Sequence, residues 1–281
     1  MASRLTYLIL ATLLIASGVS QASAQSIFPD KNLEAVVRHY VFEKRNNDQP
    51  LTEKDVETIS TIEGKNKGIK DLTGLEKCRS LALLDLEGNE IENIAAIKDL
   101  TNIQSLNLAN NAITDISPLA GLAGLQYLQL ADNQISDLKP LEKLTNMRSL
   151  YLSNNKLSDI TPLAPLNKLW SLYLDGNELK DISPIANLKW LDSLDLHDNQ
   201  VSDLTPLREL GEWKYLFLNG NQITDLQVLV DMATADRAGD LRFAPFWNVF
   251  LSGNPLSDEA KSTQLAELRK QSLSSRIHFE E

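Results

Sequence analysis

Cysteine, histidine and catalytic motifs are scarce or missing in this sequence of 281 residues. The single cysteine, Cys78, cannot form an internal disulfide, so the fold must be stabilised by its core alone. The three histidines, His39, His197 and His278, lie too far apart along the chain to converge on one site. No G-x-S-x-G, H-E-x-x-H, glycine-rich phosphate loop or paired C-x-x-C motif occurs. We therefore expect no enzyme, no cofactor and no metal.

Positive charge is also in deficit. The chain carries 27 Lys and Arg residues against 38 Asp and Glu residues, which gives a formal net charge of -11. Phosphate binding requires a basic surface, so nucleic acid is excluded as a partner. An acidic surface instead favours a partner with basic character. The hydrophobic share of 43% and the charged share of 23% are typical of a folded soluble chain.

Long apolar runs are missing outside the N-terminus. Residues 1–24 contain one charge, Arg4, then an apolar run and a small-x-small site that ends at Ala24. This pattern predicts a signal peptide cleaved between Ala24 and Gln25, and hence a secreted or periplasmic protein. The apolar run is shorter than the roughly 20 residues of a spanning helix, so we expect no stable membrane insertion after cleavage. Retention of the segment as an N-terminal anchor is the alternative.

The rest of the chain repeats itself every 22 residues. The template is L-x-x-L-x-L-x-x-N-x-I-x-D-I-x-P-L-x-x-L-x-x. A degenerate coil from Ile59 precedes the regular ones, and a final coil from Phe246 begins 11 residues late. The delay predicts a longer helix and loop around residues 225–239. The regular coils start at Leu81, Ile103, Leu125, Met147, Leu169, Leu191 and Trp213.

Each position of the template has a mechanical role. The L-x-L part alternates with period two, which indicates a short strand with one buried face. The asparagine column from Asn89 to Asn254 places an amide where the chain leaves the strand, able to bond backbone groups of neighbouring coils. The D-I-x-P-L run, which departs at Ala96 and Val228, predicts an Asx-type turn and a short helix. Cys78 takes an inward place, which predicts a buried structural thiol.

The fold class is therefore α/β, a leucine-rich-repeat solenoid. A curved parallel β-sheet lines its concave face, and short helical or 3-10 turns line its convex face. The solenoid spans residues 59–256 in about nine coils. A helical cap over residues 25–58 precedes it, with Asp30 as candidate N-cap and a second short helix near Thr52.

A second cap is needed at the other end, because a bare terminal coil exposes its apolar face. Residues 257–281 carry the pattern of a helix that opens at Ser257 or Asp258. Ile277 and Phe279 then alternate as a closing strand. The sequence thus predicts a helix-strand cap after the last coil.

These motifs resemble those of the internalin family of bacterial secreted leucine-rich-repeat proteins. The resemblance rests on Ile27-Phe28-Pro29-Asp30, on the helix from Leu33 and on 22-residue coils that end in Asp-Ile-Ser-Pro-Leu. It extends from about Ile27 to Asn254. It implies extracytoplasmic recognition of a protein by the concave face, with a partner that differs between members because the partner-facing positions vary.

The outward strand positions, the second, third, fifth and seventh of each coil, are free of packing constraints. Eight aromatic residues fall on them: Tyr127, Tyr151, Trp170, Tyr173, Tyr215, Phe217, Trp247 and Phe250. Exposed aromatic side chains are the usual anchors of interfaces, since they supply area at little entropic cost. The alternative is that stacking between strands merely stabilises the sheet.

Acidic groups accompany the aromatic residues. Asp175 and His197 share the seventh position in adjacent coils, which puts their backbones about 5 Å apart. Asp195 lies two residues before His197 on the same face. We interpret this group as a solvated acidic rim that selects a basic partner, and a metal site is the alternative. Trp190, just before a strand, is interpreted as edge packing, and Trp213 as core.

The sequence thus predicts a non-catalytic, exported and monomeric module that binds a protein or peptide on its concave face. Carbohydrate binding by the same aromatic residues is one alternative. A cytoplasmic regulatory subunit resembling the 22-residue-repeat phosphatase regulators is another, against which the signal peptide argues. The predicted partner-binding residues are Tyr127, Tyr151, Trp170, Tyr173, Asp175, Asp195, His197, Tyr215, Phe217 and Trp247.

Overall fold

The computed structural model describes residues 26–272 and 276–280, so the predicted signal peptide and its cleavage site lie outside the described residues. Ten parallel strands form one sheet in chain order, which confirms the predicted solenoid. The strands are β1 (Thr61–Glu63), β2 (Leu83–Asp85), β3 (Ser105–Asn107), β4 (Tyr127–Gln129), β5 (Ser149–Tyr151), β6 (Ser171–Tyr173), β7 (Ser193–Asp195), β8 (Tyr215–Phe217), β9 (Asn248–Phe250) and β10 (Ile277–His278).

The register of the sheet follows the repeat. Neighbouring strands from β1 to β8 pair residues that are 22 apart, as Leu150 pairs with Leu172. The middle residue of each strand from β1 to β9 is completely buried, while its two neighbours point to the other face. We call that other face, which carries the third and fifth residues of each coil, the concave face.

The opposite side of the coils that begin with β1 to β7 is a short 3-10 helix. Asp159 illustrates how it begins, because its Oδ1 accepts the N–H of Thr161 at 2.8 Å in an Asx turn. The following proline fixes φ in the first turn. These helices are Leu75–Lys77, Ala95–Ile97, Ser117–Gly121, Lys139–Leu141, Thr161–Leu163, Ser183–Asn187 and Thr205–Leu207.

In the described residues, four α-helices complete the fold at the ends and in the insertion. Helix α1 (Lys31–Tyr40) begins as predicted, because Asp30 Oδ1 accepts the N–H groups of Asn32 and Leu33 at 2.8 and 3.0 Å. Within the described part of the chain, no helix is long and apolar enough to cross a membrane. The other helices are α2 (Glu53–Val56), α3 (Gln227–Ala238) in the predicted insertion, and α4 (Leu265–Gln271), which continues from a π-helical turn at Ala260–Gln264.

Buried amides and one buried thiol complete the core. Asn177 shows the asparagine pattern: its Nδ2 donates to the carbonyls of Leu152 and Leu174, and its Oδ1 accepts the N–H of Leu157. The amide therefore pairs backbone groups of two coils, as predicted. Cys78 is fully buried, and burial raises the pKa of its thiol to about 12, so it stays protonated and unreactive.

The last coil corrects one prediction. Phe246 was expected inside and Trp247 outside, but Trp247 is completely buried and Phe246 is 59% exposed. The carbonyl of Phe243 accepts the N–H groups of both residues, so a tight turn at the end of the insertion shifts the inward place by one residue. The Trp247 indole N–H donates to Ser272 Oγ at 2.7 Å. Trp247 is core and cannot contact a partner directly.

Candidate partner-binding face

Three tyrosines form a stack on the concave face. Tyr151 and Tyr173 occupy the same place in β5 and β6, and their ring centroids lie 5.0 Å apart with a 27° angle between the planes. Tyr127 on β4 packs against Tyr151 at 5.4 Å. Strands about 4.8 Å apart bring the equivalent Tyr151 and Tyr173 to stacking distance, whereas Tyr127, which is in register with Ser149, reaches Tyr151 diagonally. All three rings are partly buried. We call this group the tyrosine stack.

A second stack extends across β8, β9 and β10. Phe217 lies 6.0 Å from Tyr215 and 4.6 Å from Phe250, with nearly parallel rings. His278 continues the series, because its ring lies 4.2 Å from Phe250 at 7°. Tyr215, at 44% exposure, is the most accessible member. We call this group the phenylalanine stack.

An acidic cluster separates the two stacks. Asp195 on β7 lies between Tyr173 and Phe217 in the register of the sheet. His197 Nδ1 bonds Asp195 Oδ1 at 2.7 Å, and His197 Nε2 lies 3.7 Å from Asp175 Oδ2. Asp175 also accepts a short hydrogen bond from the hydroxyl of Ser153. The prediction that Asp175, Asp195 and His197 share one surface is confirmed.

Burial and charge shift the titration of this acidic cluster. Burial raises the pKa of Asp195, although hydrogen bonds from His197 oppose the change. Burial also disfavours protonation of His197, but its hydrogen bond to Asp195 and the nearby aspartates raise its pKa overall. Asp195 is only 7% exposed, so the expected solvated rim is wrong for this residue. In this cluster the Asp195 carboxylate is buried, and the more exposed His197 ring covers it on the solvent side.

The same three side chains are the group that comes nearest to a metal site. Their donor atoms lie within 4.8 Å of one another, and no other such group is found among residues 26–272 and 276–280. His197 Nδ1 and Asp195 Oδ1 are already bonded to each other. The observed geometry is that of a hydrogen-bonded network in which the His197 ring lies between the carboxylates of Asp175 and Asp195.

Comparison with known proteins identifies the family. A family model for the leucine-rich repeat matches residues 79–135, and a model for two copies of the repeat matches residues 123–165 and again residues 168–209. The crystal structure of internalin C2 from Listeria monocytogenes is 33% identical, aligns over 80% of this chain and 94% of its own, and has a TM-score of 0.72. The chain belongs to the internalin family.

More distant relatives share the fold of this internalin-family chain. Internalin F from Listeria monocytogenes is 24% identical over 93% of this chain and 95% of its own, with a TM-score of 0.50. The protein LIC12759 from Leptospira interrogans is 21% identical over 82% and 51%, with a TM-score of 0.57. No curated protein sequence matches the chain. Leucine-rich-repeat proteins of internalin type are generally protein–protein interaction modules.

Most of the predicted site residues lie in the two stacks or in the acidic cluster, but Trp170 and Trp247 do not. Trp170 is 52% exposed and lies at the edge of the sheet, where it lines a shallow pocket with Arg148, Lys168 and Trp190. It makes no ring contact with the tyrosine stack in the described part of the chain. Trp190 is 62% exposed, so its interpretation as edge packing is wrong.

Two members of the phenylalanine stack were not among the predicted site residues. Phe250 sits at the fifth position of its coil, so the alternation of β9 was a sufficient signal for it. His278 lies in the C-terminal cap, and only the pairing of β10 with β9 brings it beside Phe250. That pairing follows no 22-residue spacing, so the repeat alone gives no signal for it.

Proposed function

We propose that this chain is an exported, non-catalytic module that binds a protein or peptide partner on its concave face. The proposal rests on one observation: the tyrosine stack and the phenylalanine stack lie on one face of one sheet, and the acidic cluster lies between them. The stacks fix the aromatic side chains before a partner arrives, so little conformational entropy is lost on binding. Aromatic residues held in this way are typical anchors of interfaces.

The orientation of the rings favours a protein over a carbohydrate. The face of Tyr151 packs against Tyr173 at 5.0 Å and that of Phe217 against Phe250 at 4.6 Å, so these rings present mainly edges to a partner. A sugar ring packs against an open aromatic face. Edges and phenol hydroxyls instead suit the mixed apolar and polar surface of a protein. The carbohydrate alternative is therefore weaker at this surface.

The acidic cluster determines the charge of the proposed partner. Asp175 and Asp195 place carboxylates between the two stacks, and the whole chain carries a net charge of -11. A Lys or Arg side chain of the partner would pair with these carboxylates when His197 is neutral. We therefore propose a partner with a basic group flanked by apolar ones, bound by a monomer.

The same architecture holds peptides in other proteins. The plant peptide hormone receptor RGFR1 has been solved in complex with RGF2, and its fold aligns with 65% of this chain at 23% identity and a TM-score of 0.54. That likeness concerns the fold alone, and this chain aligns with 30% of the receptor chain. It supports the proposal only in that a solenoid of this kind is found in a peptide hormone receptor.

Site-specific photo-crosslinking tests the proposed face. A photoreactive amino acid replaces Tyr173 or Phe217, and a control variant carries it at Lys143, an exposed residue on the convex side. The purified variants are exposed to proteins of the medium and cell surface and then irradiated. We expect adducts from positions 173 and 217 and none from position 143. Adducts from the convex position alone would contradict the proposal.

Export is the other part of the proposal. It is supported by the pattern of residues 1–24, with one arginine, an apolar run and the small residues before Gln25. N-terminal sequencing of exported material should give Gln25 as the first residue. An intact chain that stays in the cytoplasm would contradict the export, and it would favour a cytoplasmic regulatory role.

A further inference from the structure

Two exposed tryptophans meet two cationic side chains at the edge of the sheet where the strands begin. Arg148 and Trp170 hold the same place in adjacent coils, directly before β5 and β6. Lys168 and Trp190 hold another shared place in adjacent coils, two residues earlier. The four side chains line one shallow pocket, which we call the edge pocket.

Trp190 departs from the structural use of its position. In two earlier coils this position carries Asn102 and Asn146, whose side-chain amides donate to backbone carbonyls of the preceding coil at 2.9 and 3.0 Å, and in two others it carries Gly124 and Lys168. An indole makes no such bond here, and Trp190 is 62% exposed instead of packed. A large apolar side chain that contributes neither to the core nor to the backbone bonding calls for a role at the surface.

The edge pocket offers hydrogen-bond donors and few acceptors. No hydrogen bond or ion pair among residues 26–272 and 276–280 involves the Arg148 guanidinium. Lys168 Nζ donates only to the neutral Asn146 Oδ1, at 2.8 Å. Asp192 occupies the same position as Trp170 in the next coil, and its carboxylate forms an ion pair with Lys214 at 2.7 Å. The pocket is thus a locally positive site on an acidic protein.

Both indoles also expose much of their surface to solvent, 52% for Trp170 and 62% for Trp190. No stacking or cation–π contact of Trp170 or Trp190 occurs in the described residues, in contrast with the rings of the two stacks. Their faces and N–H groups are therefore available to a ligand. Tryptophan and arginine are the residue types most enriched among the energetically dominant contacts of interfaces.

We propose that the edge pocket binds an acidic segment of a partner protein, in which a carboxylate lies next to an apolar side chain. The carboxylate accepts from the Arg148 guanidinium in a bidentate pair, with Lys168 as a second cation. The apolar side chain packs on the indole faces of Trp170 and Trp190. A neutral sugar fits less well, because its hydroxyls need acceptors as well as donors and the pocket has few acceptors.

The edge pocket differs from the concave face in the charge that it selects. The acidic cluster at Asp175 and Asp195 favours a basic group, whereas Arg148 and Lys168 favour an acidic one. This inference goes beyond the proposed function, since the pocket can bind its ligand whether or not the concave face binds a partner. A partner that uses both sites would carry charges of both signs in a fixed order.

Selection of short random peptides displayed on phage tests the edge pocket. The library is selected on the wild-type chain and counter-selected on a Trp170→Ala, Trp190→Ala variant. We expect enriched peptides that combine Asp or Glu with an apolar residue. Their affinity should fall about tenfold or more in Arg148→Gln. The controls are Lys189→Gln, an exposed lysine outside the pocket, and the Tyr151→Ala, Tyr173→Ala, Phe217→Ala variant, both of which should keep the affinity.

Several outcomes would overturn the inference. Enriched peptides without acidic residues, or none dependent on the two tryptophans, would show that the pocket does not take an acidic segment. Binding of oligosaccharides of glucuronic acid, with the same dependence on Arg148 and no peptide binding, would assign it to an acidic sugar. Self-association that these variants abolish would assign it to a second copy of the chain. Loss of the peptides in the concave-face variant alone would place their site on the concave face.

Discussion

The inward and outward columns of the solenoid differ in how much they repeat. From coil to coil the inward places hold apolar residues, mostly leucine and isoleucine, and the turn holds the same asparagine, because each coil must match the one before it. The fifth, outward place changes from Asp85 through Tyr173 to Phe250. Repetition therefore marks the residues that hold the fold, and variation marks the surface on which a binding site is built.

The largest contrast should come from neighbouring residues of one strand. Leu172 is completely buried, so Leu172→Asp places an unpaired charge in a dry core and should cost several kcal/mol, on the order of 4 kcal/mol. The matched variant is Ser171→Asp, one residue earlier on the concave face. Thermal melting followed by circular dichroism should show loss of the central coils in the first variant only. Equal melting of both variants would mean that the register is wrong.

The asparagine column should be next in effect. Asn177→Ala removes four hydrogen bonds and leaves buried backbone groups of two coils unpaired, which should cost about 2 to 3 kcal/mol. Asn167→Ala, an exposed residue on the convex side, is the control and should leave stability unchanged. Urea denaturation of the two variants measures the difference. A small effect at Asn177 would show that water replaces its bonds.

A smaller loss is expected where the chain leaves the strand. Gly176 has a φ of +63°, and a Cβ there would lie 2.2 Å from Asn154 Oδ1. Gly176→Ala should therefore destabilise the fold by about 1 to 2 kcal/mol through backbone strain and a forced shift of Asn154. Gly121→Ala is the control, because its Cβ would meet only a carbonyl at 3.6 Å. If the two variants unfold at the same urea concentration, the turn tolerates a side chain.

The smallest effect should be a pH dependence of the acidic cluster. The folded state raises the pKa of His197 above its ordinary 6.5, so protonation stabilises the fold. This contribution is complete below the unfolded pKa and is lost as pH rises through the raised folded pKa. The raised pKa of Asp195 gives a change of the same sign, at more acidic pH.

The stability of the wild type relative to His197→Gln should thus fall by about 0.5 kcal/mol between about pH 6 and about pH 8, since solvent screens a side chain that is 38% exposed. Denaturation at both pH values measures it. His39→Gln, in the N-terminal cap, is the control. A rise in relative stability over the same range would mean that His197 is neutral in the folded state.

The sequence predicts the structure well wherever every coil has the same buried positions. The 22-residue period predicted the parallel sheet, the asparagine bonds and the Asx turns, because each follows from a local pattern repeated in register. The N-terminal cap was predictable for the same reason, since Asp30 and the apolar spacing of α1 are local signals. Local rules that recur along the chain thus determine most of this fold.

Predictions from the sequence fail where the 22-residue period is interrupted, and where the conformation of a turn decides the direction of a side chain. The insertion ends in a tight turn that moves Trp247 inward, and no pattern in the sequence sets that phase. His278 joins the phenylalanine stack only through the pairing of the last two strands. Trp190 and Arg148 meet in the edge pocket because their turns bring them together, which alternation along a strand does not predict.

The separation of folding and binding is tested most directly on a variant that combines Tyr151→Ala, Tyr173→Ala and Phe217→Ala. These rings lie on the concave face between completely buried leucines, so each replacement should cost roughly 1 kcal/mol or less of stability. Its melting temperature and its affinity for the partner captured at position 173 are measured together. We predict that the fold persists and that the binding free energy weakens by about 2 kcal/mol or more. A variant that melts near the wild type and binds the partner equally well would contradict it.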